Sequence, residues 1–262
     1  MSSHRLHRMT ALTGAAALVL TLAPASMADH ANPPGPVNAQ TTYDWGKPQW
    51  QDDFVGPRKS IWRVRAGTGN VRNQHGMLTL NTGSRRTTSA TLTKPGHDTG
   101  RWEIRLRSRW YEGSHTPYKV RTELIPAGSR EQNCGARNVA LNSYTLGGNR
   151  AHSYIRTLPN RSFNDHTGLN LGKDMWHTFA LEVTKKRISW FVDGHVMMSE
   201  RREAALSGVP FTVRFSMVAQ PGKRMNQSRM QMDWLRYFTL EKPNSKSVDA
   251  PQGRRTTYAD AC

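Results

Sequence analysis

The chain has 262 residues and a formal net charge of +18, with 37 lysines and arginines against 19 aspartates and glutamates. That length suits one sizeable β domain or two small ones. The positive excess points to polyanions as partners (nucleic acid, teichoic acids, or acidic and sulfated polysaccharides), and two cysteines exclude a disulfide-dense scaffold.

At the N-terminus Arg5 and Arg8 precede an apolar run from Ala11 to Leu22, and Ser26-Met27-Ala28 places small residues where a signal peptidase cuts. About 12 apolar residues are too few for the ~20 of a spanning helix. The expectation is a signal peptide over 1–28 and a secreted, extracellular protein with no membrane span. Residues 1–28 carry two positive charges and no negative ones, so the mature charge falls to +16. An oxidising compartment suits a Cys134–Cys262 disulfide, worth about 4–5 kcal/mol through the long loop it closes. Two cysteines so far apart, without clustered histidines, do not suggest zinc.

A Pro/Asn/Gly-rich linker follows over 29–45, and then a region of short strands broken by Gly, Asn, Pro and Asp over 46–241. The clearest strands are Met77–Leu80, Trp102–Arg109, Val120–Ile125, Val139–Tyr144, Phe179–Val183, Ile188–Val192, Phe211–Val218 and Met230–Phe238. Most alternate apolar with polar residues. Trp102, Ile104 and Leu106 share one face, Glu103, Arg105 and Arg107 the other. Asp193-Gly194 suits a tight hairpin turn. No helical period lasts ten residues, although Glu200–Leu206 suits one short helix. This pattern predicts an all-β sandwich or jelly roll of two antiparallel sheets. The tail over 242–262 is polar and expected to be loosely held unless Cys262 pins it.

Several blocks resemble glycoside hydrolase family 16, the group of laminarinases, lichenases and carrageenases. Trp50–Phe54 with Trp62 is similar to its opening strand, Gly76–Leu80 to "G-x-L-x-L", and Gly100–Arg107 to "G-x-x-E-x-R-x-K". Trp176–Glu182, Ile188–Gly194 and Met232–Phe238 match its C-terminal half best. The resemblance spans about 190 residues and implies a concanavalin A-like jelly roll. Trp176, Trp190 and Trp234 are expected to pack in the core.

The family's catalysis rests on one strand reading E-x-D-x-E, whose outer carboxylates act as nucleophile and general acid/base. The corresponding strand here reads Asn138-Val139-Ala140-Leu141-Asn142-Ser143-Tyr144. Its cleft-facing positions are Asn138, Ala140 and Asn142, or Ser143 if a bulge intervenes, and none ionises as a carboxylate. Two other acids are the candidate catalytic residues, Glu123 and Glu103, although each is equally suited to pairing with a neighbouring arginine. Arg121-Thr122-Glu123-Leu124 is also similar to a short motif of jelly-roll alginate lyases, whose arginine neutralises a uronate.

Asn138, Asn142, Tyr144 and Trp110 suit sugar binding, and Arg105, Arg107 and Arg121 a positive cleft floor. The resemblance further implies a structural calcium ion near Asp233; no other cofactor is required. Three readings stay open: a secreted protein binding a polysaccharide, anionic in character, in the cleft; an active hydrolase or lyase whose acid is Glu123 or Glu103; and a basic protein binding polyanions without a defined cleft. No dedicated nucleic-acid motif is present, and the sequence does not specify the oligomeric state.

Overall fold

The computed structural model describes residues 37–111, 113–128, 130–171 and 174–259. The signal peptide expected over 1–28, residues 29–36 of the expected linker and Cys262 lie outside the described residues. In chain order the strands are β1 (Trp50–Asp52), β2 (Trp62–Arg65), β3 (Asn70–Gln74), β4 (Met77–Asn81), β5 (Thr88–Leu92), β6 (Gly100–Trp110), β7 (Lys119–Pro126) and β8 (Val139–Thr145). They continue as β9 (Arg150–Thr157), β10 (Arg161–Gly168), β11 (His177–Val183), β12 (Ile188–Val192), β13 (His195–Glu200), β14 (Phe211–Val218), β15 (Ser228–Phe238) and β16 (Arg254–Thr257). Two one-turn helices, α1 (Ala39–Thr42) and α2 (Glu131–Cys134), complete the set with a short 3-10 turn at Glu203–Ala205.

The strands form two antiparallel sheets. The back sheet runs β13-β12-β11-β6-β15-β4-β3, with β1 also paired to β15, and the front sheet runs β16-β10-β9-β8-β7-β14-β5-β2. Their inner faces meet in one apolar core. Alternation along each strand builds it: Trp102, Ile104 and Leu106 from β6 face Val120 and Leu124 from β7 and Val213, Phe215 and Met217 from β14. Asp193 (φ 46°) and Gly194 (φ 76°) turn β12 into β13. Both need positive φ, the twist a two-residue hairpin favours.

The pairing of β7 with β8 carries a bulge. Glu123 pairs with Ala140 and Thr122 with Asn142, so Leu141 is the extra residue. Beyond the bulge Ser143, opposite Arg121, takes the outward position. Asn142 lies opposite Thr122, and both are fully buried. The bulge frees the Ala140 carbonyl from the ladder, and Trp190 on the back sheet satisfies it across the core through Nε1 at 2.8 Å.

The packed body extends past the expected 46–241 limits at both ends. Ala39, Tyr43 and Trp45 cover Ala180, Phe191 and Phe238 on the outer face of the back sheet. Beyond residue 241, Asn244 accepts from Trp45 Nε1 at 2.6 Å and donates to Glu182 at 2.7 Å. Val248 is buried, and β16 pairs with β10 as the edge of the front sheet. The polar composition of these segments concealed them, because few apolar side chains hold each one.

Candidate functional site

The outward face of the front sheet is built in cross-strand rows. One row runs Arg65, Ser89, Ser216, Arg121, Ser143, His152 and His166, from β2 to β10. The next runs Arg63, Thr91, Arg214, Glu123, Ala140, Tyr154, Asn164 and Arg254, ending on β16. Small residues make a low floor: Ser89, Thr91, Ala140, Ser143 and Ser216 are buried, whereas Arg63, Arg65, Lys119, His152 and Arg254 stand exposed around them. Tyr154, the one aromatic phenol ring in these rows, is 8 % exposed.

Glu123 is the one carboxylate in the outward rows of the described front-sheet strands; Asp165 on β10 falls on the alternate face, opposite Ser153. Glu123 is 1 % exposed. Its Oε1 accepts from Tyr154 Oη at 2.7 Å and Asn138 Nδ2 at 3.1 Å, and its Oε2 from Arg214 Nη2 at 2.9 Å. The Tyr154 bond passes over Ala140, where a larger side chain would obstruct it. Burial alone would push the Glu123 carboxyl up. The charges of Arg214 and Arg121, with the hydrogen bonds from Arg214 and Tyr154, outweigh that and hold its pKa below the usual carboxylate value. An ionised carboxylate with both oxygens engaged cannot donate a proton to a leaving group.

The second expected catalytic acid is elsewhere. Glu103 is on β6 of the back sheet, and its Oε1 accepts from the backbone N–H of Ala39 at 2.5 Å and of Gln40 at 3.3 Å. It therefore holds the first turn of α1, on the opposite side of the sandwich from Glu123. Burial pushes its pKa up to about 7, against the Ala39 and Gln40 hydrogen bonds and the Arg236 charge. Glu103 and Glu123 do not form a pair around one ligand.

Several expected binding residues are also redistributed. Arg105 and Arg107 point outward from the back sheet, not into a cleft floor, and both guanidiniums lie over Trp176, at 4.7 and 4.5 Å from its ring. Trp176 is thus a partly exposed surface residue, and Trp234 is buried under Arg236 on that same outer face; Trp190 alone of the three enters the core. Tyr144 is 1 % exposed and bonds Ser108 across the core at 2.7 Å, which prevents it stacking on a sugar. Asn142 is fully buried, and its side-chain nitrogen and oxygen have no hydrogen-bond partner. Asn138 is 1 % exposed and serves Glu123. Trp110 is 41 % exposed at the end of β6, near Gly147. Arg121 stands in the front-sheet row as expected.

Asp233 forms the bulge residue of β15 and pairs with Arg105 at 2.8 Å. A calcium ion on this carboxylate would face the guanidinium already bound to it, so these residues do not fit the ion. Cys134 is not a free thiol; the pairing expected with Cys262 involves a residue outside the described set.

Sequence reasoning missed much of the basic face. Arg63, Arg65, Arg214, His152 and Arg254 come from four separate strands, and only sheet order brings them together. It also missed Glu131 on α2, 3.5 Å from Arg137, beside the Gln132 carbonyl that accepts from Arg214 Nη1 at 2.6 Å.

No protein-family model matches the sequence, and no curated protein matches it. Solved structures do. The laminarinase from Rhodothermus marinus is similar at a TM-score of 0.60 and 14% identity, covering 74% of this chain and 97% of its own. An endo-1,3-beta-glucanase from Streptomyces sioyaensis gives 0.60 and 14%, covering 73% and 95%. A non-specific endo-beta-1,3(4)-glucanase from glycoside hydrolase family 16 gives 0.59 and 15%, covering 78% and 95%. The fold is that of the family-16 glucanases. The front-sheet face over β7, β8 and β14 is lined with arginine.

Proposed function

We propose that this chain is a secreted, family-16-like carbohydrate-active protein that binds an anionic polysaccharide on the outward face of its front sheet, without the hydrolytic carboxylate pair. The neighbours in fold are named as glucanases and laminarinases, which supports a polysaccharide as the ligand. One observation carries the anionic character. The rows offer Arg63, Arg65, Arg121, Arg214 and Arg254 around a floor whose single carboxylate, Glu123, is buried and already held by Arg214. Guanidinium forks pair with sulfate or carboxylate in two parallel bonds. An exposed aromatic platform, which a neutral glucan would use, is absent from these rows among the described residues.

The test is to incubate the protein with laminarin, polygalacturonate, carrageenan and dextran sulfate, measuring binding by calorimetry and products by reducing-end assay. Binding of the charged polymers without products is expected. Reducing ends released from laminarin, and lost in Glu123→Gln, would overturn the reading.

A second reading rests on the Arg121–Ser143–His152 row. Burial, with the nearby His166, Lys119 and Arg150, lowers the His152 pKa, leaving a neutral imidazole two strands from a guanidinium. That pair suits β-elimination from a uronate: Arg121 neutralises the carboxylate, His152 removes the C5 proton α to it, the C4–O bond breaks as the C4–C5 double bond forms, and the leaving oxygen takes a proton from water. Unsaturated products from polygalacturonate, abolished in His152→Ala, would favour it; their absence would remove it.

A further inference from the structure

At the end of the front sheet, where β5 begins and β14 ends, the loop of Arg85–Thr87 and the loop of Ala219–Arg224 enclose an open cavity of ≈ 660 Å³. Its lining includes Arg85, Arg86, Lys223 and Arg224 and no acidic residue. The two loops are fastened to each other and to the sheet. Met225 donates its N–H to the Ser84 carbonyl at 2.8 Å, Ala219 its N–H to Thr87 Oγ1 at 3.1 Å, and the Tyr118 hydroxyl bonds the carbonyls of Gly83 and Arg86, each at 3.0 Å. Four cations held near one another without a carboxylate repel each other, a cost that a bound oxyanion removes.

The cavity also continues the basic face. Ser89, two residues after Thr87, pairs with Arg65, and Val218, just before Ala219, pairs with Lys119. Lys119 precedes Arg121 on β7 by two residues and points the same way. Burial and the charges of Arg121 and Arg156 lower the Lys119 pKa, as positive crowding along this path requires.

We infer that this cavity is a second anion subsite, which takes a sulfate- or carboxylate-bearing sugar residue of the same polymer beyond the last row of the sheet. The inference rests on the proposed binding face and extends it by one charged unit. Three guanidiniums supply paired donors, and the open mouth leaves room for the ring that carries the charge.

The full chain is titrated by calorimetry with dextran sulfate, polygalacturonate and uncharged dextran. The two charged polymers separate a sulfate from a carboxylate ligand. Lys223→Ala/Arg224→Ala is compared with Lys185→Ala/Lys186→Ala, which removes the same two charges from the turn between β11 and β12 on the back sheet. The cavity variant is expected to lose about tenfold in affinity for the preferred charged polymer, with an unchanged thermal midpoint, and the control variant less than about twofold. Equal losses in both would overturn the subsite, because they would report net charge alone. Arg65→Ala/Arg121→Ala tests the binding face separately. If that variant loses affinity while the cavity variant does not, the subsite fails and the face stands; the reverse pattern keeps the subsite and removes the face. Wild type binding dextran as tightly as both charged polymers overturns both.

Discussion

Glu123 and Glu103 show how two buried carboxylates of one chain acquire opposite properties. Glu123 is surrounded by donors and positive charge, so it is held ionised; Glu103 receives only backbone N–H groups and a more distant charge, so burial prevails. Removing Glu123 leaves Arg214 and Arg121 facing each other without their counter-ion, and Glu123→Ala is expected to cost roughly 3 kcal/mol in urea denaturation. No measurable loss would show that the pair contributes nothing to the fold. The Glu103 pKa rises from 4.5 to about 7 on folding, so the native state binds this proton more tightly than the unfolded chain. The resulting stability is complete below about 4.5 and fades as pH rises through about 7, a difference of about 3 kcal/mol. Wild type should therefore lose stability between pH 5 and 8 relative to Glu103→Gln, and parallel pH profiles of the two would contradict that. At this scale the sequence showed which residues could ionise but not their neighbours. Asn138, Asn142 and Tyr144 read as cleft groups by alternation, yet the bulge at Leu141 turns Asn142 and Tyr144 inward and Asn138 is absorbed by Glu123.

Among the elements, the strands singled out by their alternation, from Met77–Leu80 to Met230–Phe238, were legible and all form. Strands with polar or weakly alternating sequence were not: β9, β10 and β16 are stretches of Arg, His, Asn, Ser and Thr whose pairing is set by their neighbours. The α1 segment escaped notice for the same reason, since its place depends on a turn far away in sequence. Gly194 lies against it: a Cβ there would sit 2.7 Å from Thr42 Oγ1 and 2.8 Å from Val37 Cγ1. Its φ of +76° adds backbone strain for any other residue. Gly194→Ala should cost about 1–2 kcal/mol and increase protease cleavage within 37–45; an unchanged cleavage rate would show that α1 tolerates the added methyl. Ending the chain after Glu241 removes Val248 and β16, exposing the β10 edge. That truncation should lower the thermal midpoint and promote aggregation, which light scattering would detect.

For the whole molecule, the jelly roll was readable because its core strands carry strong alternation. The basic face was not, because its arginines are distributed over strands that are far apart in the chain and adjacent only in the sheet. The back sheet's arginines are largely consumed: Arg101 and Arg187 by Glu182, Arg105 by Asp233, Arg229 by Asp174. On the front sheet, Arg214 alone among the row arginines has a carboxylate within ion-pair distance among the described residues. Charge is thus neutralised on one side of the sandwich and left available on the other. Protons should follow the ligand: an anion beside His152, whose pKa is lowered by burial, His166, Lys119 and Arg150, raises that pKa. Binding should accordingly strengthen as pH falls toward the His152 pKa, which lies below the usual 6.5. The most direct test is calorimetric titration of wild type and Arg65→Ala/Arg121→Ala with dextran sulfate and uncharged dextran at about 50 and 200 mM salt. Retained preference for a charged polymer at the higher salt, reduced about tenfold or more in the variant, is the predicted result. Binding that collapses with salt for every polymer, or that is indifferent to Arg65 and Arg121, would contradict a defined anionic-glycan site on this face.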